Sequence, residues 1–194
     1  CLGSPCCDEV PSLPPTRPRL SGGTYVCALY LFSGPKSRPK SLANYARLWG
    51  SKLGIEVTVV EFDILNGDEF DLADDHVFGT LCKRIKSGEF DVIFMSPPCS
   101  TFGCRRSDGG PPPLRGLGHN IYGVANLGPQ EFERVKLGTL LALRSAEVAR
   151  LAMSLSVPWL LEQPAQQNER PHMFLIYEWR ELLGLEGVSR LDRK

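Results

Sequence analysis

Phe90-Asp-Val-Ile-Phe-Met95-Ser-Pro-Pro-Cys99-Ser-Thr-Phe102 is the stretch that decides the fold. Its first six residues are mostly apolar and show no helical period, the pattern of a strand buried on both faces. Pro97 and Pro98 end it, because each fixes its own φ and biases its predecessor away from helix. Upstream, Tyr25-Val-Cys-Ala-Leu-Tyr-Leu-Phe32 is a second such run, closed by Ser33-Gly34-Pro35. From Ser41 the period changes: Leu42, Tyr45, Ala46, Trp49 and Leu53 fall on one helical face, and Gly54 ends the helix. Val57 to Val60 predicts another strand, and Phe70-Asp71-Leu72 a very short one. Asp74 or Asp75 can cap a helix whose apolar side is Val77, Phe78, Leu81 and Ile85, stopping near Gly88. Downstream, residues 101 to 130 hold seven glycines and four prolines, a long loop. Glu131 to Met153 reads as helix, Pro158 to Leu161 as a strand ending at Glu162, and Ile176 to Leu185 as a closing helix.

Strands alternating with helices predict parallel βαβ units and a doubly wound, mostly parallel α/β sheet. Ligands of such sheets sit at the carboxyl ends of the strands. The residues at those ends are Phe32-Ser33-Gly34, Glu61-Phe62-Asp63, Asp71-Leu72, Pro97-Pro98-Cys99 and Glu162.

The composition narrows the function classes. With 194 residues the chain suits one domain, which buries roughly 70% of its unfolded surface. Lys+Arg 22 against Asp+Glu 22 leaves zero net charge, so any nucleic-acid binding has to be local. The longest apolar run, Tyr25 to Phe32, is too short for a membrane helix, which takes roughly 20 residues. Seven cysteines without paired spacing point to a reducing, intracellular compartment, nuclear in a eukaryote and otherwise cytoplasmic. Residues 1 to 23, with five prolines and few large apolar groups, read as a disordered leader, leaving 24 to 194 as the folded domain.

Cys99 follows a stiff Pro-Pro support at a strand exit, the presentation a nucleophile needs; a buried apolar cysteine beside a turn has about equal weight on these residues alone. Glu162 is either a working acid at a strand end or an ordinary solvated turn residue. Lys36, Arg38 and Lys40 form one local basic cluster and Arg105, Arg106 and Arg115 a second. Each cluster suits phosphate contact or plain loop solvation. Cys99 and Cys104 with His119, or Cys1, Cys6 and Cys7, lack the short paired spacing of a zinc site, so no metal is expected.

Pro97-Pro98-Cys99-Ser100-Thr101-Phe102 resembles the catalytic loop of DNA cytosine-5 methyltransferases, in which Pro-Cys follows a strand and an aromatic stands three residues later. Trp159-Leu-Leu-Glu162-Gln163 is similar to that family's Glu-Asn pair at the next strand end, and Glu61-Phe62-Asp63 to its acid, aromatic, acid triplet. Gly138-Thr139-Leu140 is similar to a segment that opens a helix there. The likeness covers roughly Tyr25 to Pro164. It implies a class I, Rossmann-like domain that binds S-adenosyl-L-methionine and transfers its methyl group to C5 of cytosine in DNA. The base is then flipped out of the duplex or single-stranded.

The implied catalytic residues are Cys99, adding to C6, and Glu162, acting at N3. Phe32, Ser33, Gly34, Glu61, Phe62, Asp71 and Pro97 would hold the cofactor, with Glu61 on the ribose hydroxyls, Phe62 against adenine and Asp71 on its amino group. Ser100, Arg105, Arg106 and Arg115 would contact the nucleic acid. The family's later elements are not recognisable, so its C-terminal part is expected to be missing. The alternative is a catalytically silent methyltransferase-like module that binds nucleic acid or a protein. RNA cytosine-5 enzymes place a cysteine where Glu162 stands, and N6-adenine enzymes an aromatic where Cys99 stands, which disfavours both.

Overall fold

The computed structural model describes residues 24–102, 112–164 and 171–184. The chain divides into two compact units: Cys1–Ser96 with Val148–Leu161, and Pro97–Glu147 with Glu162–Lys194. The predicted leader and the arginines Arg105 and Arg106 lie outside the described residues.

The first unit is an α/β layer. Its strands are β1 (Thr24–Leu31), β2 (Ile55–Phe62), β3 (Val92–Met95) and β4 (Trp159–Leu161). All pair in parallel, in the order β2-β1-β3-β4, so the direction of strand addition reverses at β1. Cys27, Ala28, Leu29 and Leu31 of β1 are buried, as a central strand covered on both faces requires. Phe70-Asp71-Leu72 is not a strand. Asp68–Phe70 is a 3-10 turn opened by Gly67 at φ +140°, and Asp71 folds back to accept the amide of Ala73 at 2.8 Å. Local turn chemistry wins over three residues too few to gain a ladder.

Helix α1 (Leu42–Lys52) starts where the sequence says, with the Ser41 hydroxyl accepting the amide of Asn44 at 3.1 Å. Its buried face is not the predicted one. Ala43 and Gly50 are buried and Ala46 packs beside them against Ala28 and Val59, whereas Trp49 is 57% and Leu53 70% exposed. A methyl group on Gly50 would stand 2.3 Å from Val57 Cγ2, so the helix approaches β2 through its small residues and the large ones are turned outward.

Helix α2 (Asp75–Lys86) buries the predicted Phe78, Leu81 and Ile85. The Asp74 carboxylate caps it by accepting the amide of Val77 at 2.9 Å. It closes on Gly88 at φ +73°. In its last turn Arg84 Nε donates to Glu89, which lies beyond the helix end, at 2.8 Å, and that hydrogen bond raises the guanidinium pKa above its ordinary value.

In the second unit, α3 (Pro129–Ser154) supplies the long element, its last turns from Val148 belonging to the first unit. Helix α4 (Tyr177–Leu183) is anchored by Trp179, whose indole N–H donates to the Ala142 carbonyl of α3 at 3.1 Å and whose ring meets Phe174 edge-on. The predicted loop at 101–130 is structured where described: Gly118–Tyr122 forms a 3-10 turn, and Val124 donates its amide to the Leu114 carbonyl. Gly138-Thr139-Leu140 lies in the body of α3 rather than opening a helix. Among the described residues, no helix is long and apolar enough to cross a membrane.

Candidate active site

The two residues nominated for catalysis follow two neighbouring strands in the chain. Met95 of β3 pairs with Leu161 of β4; Cys99 follows the first by four residues and Glu162 the second by one. Gln163 Nε2 donates to the Pro97 carbonyl at 2.7 Å, which ties the segment carrying Glu162 to the loop carrying Cys99. Pro97 is buried, Cys99 half-buried, and Ser100 and Glu162 exposed. The loop is a tight turn: Phe102 donates its amide to the Cys99 carbonyl at 2.9 Å. A half-buried cysteine in a tight turn and an exposed carboxylate one residue before the Gln163 tie are the two groups this segment offers for chemistry.

Arg115 is not placed to touch phosphate. It is 1% exposed, and every N–H of its guanidinium is used inside the second unit. Nε and Nη2 donate to Thr101 Oγ1, Nη1 to the Ile121 carbonyl and Thr139 Oγ1, and Nη2 also to the Val135 carbonyl, at 2.7 to 3.2 Å. Its central carbon lies 3.8 Å from the Phe102 ring centroid. The four acceptor atoms that share these five bonds are all neutral. Burial lowers its pKa to about 10, so it remains a cation at neutral pH.

The residues expected to hold a cofactor belong to the first unit, Pro97 excepted. Phe32 adopts φ 60°, a left-handed conformation costing a bulky residue roughly 1–2 kcal/mol. Its amide donates to the Phe62 carbonyl at 2.7 Å. Gly34, at φ +74°, has nothing within 4 Å of where a Cβ would stand, so backbone is open to close approach there. Ser33 is buried, its hydroxyl donating to the Gly34 carbonyl.

Asp63, named in the sequence only as the second acid of its triplet and given no role there, and Asn66, which the sequence did not mark, build this turn. Asp63 accepts the Gly34 amide at 2.8 Å and the Leu65 amide at 2.9 Å. Asn66 donates to the Gly34 carbonyl and accepts the Lys36 amide. The fit to an adenosyl group is partial. Glu61, 7% exposed, accepts from Arg47 Nη2 on Oε2 at 3.1 Å, so part of its accepting capacity is already used. Phe62 is 4% exposed and meets Phe70 edge-on, so it is a core residue and not a face for adenine. Asp71 already bonds its own turn, at no strand end. Of the first basic cluster, Lys36 rests its ammonium 4.6 Å from the Phe70 ring centroid.

No protein-family model, curated protein or solved structure matches the chain. Among the described residues no three or more His, Cys, Asp or Glu side chains are grouped to hold a metal ion.

Proposed function

We propose that this chain is a class I, Rossmann-like methyltransferase acting on C5 of cytosine in DNA, with Cys99 as nucleophile and Glu162 as the acid at N3. The observation that carries the reading is the Gln163–Pro97 bond between segments leaving adjacent parallel strands, which brings the Glu162 segment to the Cys99 loop. The supporting chemistry is specific. Cytosine C5 is too weak a nucleophile alone. The Cys99 thiolate adds to C6, the electron pair of the C5–C6 double bond moves toward C5, and Glu162 holds a proton at N3 so that the ring does not accumulate charge. S-adenosylmethionine, when bound, supplies an electrophilic methyl group. Loss of the C5 proton to a base then restores the double bond and expels the Cys99 sulfur. The turn at Ser33 and Gly34 and the remaining accepting capacity of Glu61 are the groups suited to holding the cofactor; Phe62 and Asp71 are not.

Incubation with radiolabelled S-adenosylmethionine and cytosine-containing DNA tests this. Label is expected in 5-methylcytosine, and less than about one hundredth of it in Cys99→Ala or Glu162→Gln. Label on another base, or equal transfer by Cys99→Ala, contradicts the reading. Full cofactor binding with no transfer at all favours the silent binding module.

A further inference from the structure

We propose that Arg115 is a positioning residue for Cys99: from inside the second unit its guanidinium locks the turn that carries the thiol onto α3. The catalytic half of this proposal rests on the cytosine reading above, while the geometric half does not. Three segments meet at one planar fork. Thr101, inside the Cys99-to-Phe102 turn, takes two of the five N–H bonds; Ile121 of the 3-10 turn takes one; Val135 and Thr139 of α3 take the rest. Phe102 closes the face of the fork. The helix is shaped to admit this arrangement, since a Cβ on Gly138 would stand 2.6 Å from Thr101 Oγ1 and 3.3 Å from Arg115 Nη2. With Gln163 holding Pro97 on the other side, the turn is pinned at both ends and Cys99 lies between the pins.

Net stability does not account for this choice of residue. Burying a cation among neutral acceptors roughly cancels the gain from its hydrogen bonds, and an apolar side chain of similar volume would hold a core as well. What the guanidinium adds is a rigid five-donor geometry that lysine, with three rotatable donors, cannot reproduce.

The experiment uses the full chain with Arg115→Lys, Thr101→Val and Gly138→Ala, and follows iodoacetamide alkylation of the Cys99 peptide by mass spectrometry. Cys27 and Cys82, both buried, check the folding of the first unit by their continued resistance to labelling, and an unchanged circular-dichroism spectrum checks the second, whose α3 and α4 are helical; Thr101→Val, an exchange that conserves shape, keeps the test open if another variant unfolds. Loosening the turn is expected to raise the Cys99 rate about threefold or more in each variant, with Arg115→Lys and Thr101→Val non-additive. Adduct formation with a 5-fluorocytosine oligonucleotide is expected to slow about tenfold or more, at an unchanged half-saturating oligonucleotide concentration. Cys99 alkylation unchanged in all folded variants overturns the proposal. So does a raised half-saturation at unchanged rate, which would make Arg115 a nucleic-acid ligand. Altered alkylation in a protein whose wild type forms no adduct upholds the positioning role and refutes the cytosine chemistry.

Discussion

An arginine inside a glycine- and proline-rich stretch reads as solvated, and Arg115 shows why that reading fails: no local pattern reveals acceptors 14, 20 and 24 residues away. Only Gly138 beside Thr139, a glycine within a helical stretch, carries a trace of the space required. Because the pKa of Arg115 falls only to about 10, its charge is constant across neutral pH. The difference in unfolding free energy between wild type and Arg115→Met is therefore expected to be flat from pH 6 to 9 by urea titration. Above about pH 10 the folded chain loses this proton before the unfolded chain does, so stability relative to Arg115→Met should rise with pH. A slope between pH 6 and 9 assigned to Arg115 contradicts this. Asp63 is the counterpart at the first turn. Asp63→Ala strands the Gly34 and Leu65 amides and is expected to cost about 1–3 kcal/mol, measured as a lower urea midpoint at unchanged slope.

At the scale of elements, caps were legible and faces were not always. Asp74 and Gly88 bracket α2 because a side-chain acceptor and a residue free to take positive φ are needed at those two places. Helix α3 ends with the same geometry on Ser156 at φ 55°, where Val157 donates its amide to the Ala152 carbonyl, and no glycine marks it. Ser156→Gly is accordingly expected to stabilise the chain by about 0.5–1 kcal/mol, read as a higher thermal midpoint. Gly50→Ala should do the reverse. Alanine gains about 1 kcal/mol of helix propensity, but its methyl group would meet Val57 Cγ2 at 2.3 Å and the Ile55 carbonyl oxygen at 2.9 Å. The overpacking cost of about 1–3 kcal/mol wins, and the urea midpoint is expected to fall. That close approach is also why the periodicity of Leu42, Tyr45 and Trp49 identified the helix while naming the wrong buried face: β2 accepts the helix only where its side chains are small.

For the whole molecule, the parallel strands and the order of the chemical groups along them were readable, because buried parallel strands are short apolar runs with abrupt proline or glycine exits. Cys99 and Glu162 could be nominated from those exits. The partners that hold them, Gln163 on Pro97 and Arg115 on Thr101, join residues 66 and 14 apart and emerge only from the folded chain. The same holds for Glu61, whose pairing with Arg47 depends on α1 packing against β2. The most direct measurement of the central claim is intact-protein mass spectrometry after incubation with S-adenosylmethionine and a 5-fluorocytosine oligonucleotide. A covalent adduct mapped to Cys99 and absent in Cys99→Ala is expected; a folded protein that forms no adduct, or an adduct that maps to another residue, contradicts the proposed chemistry.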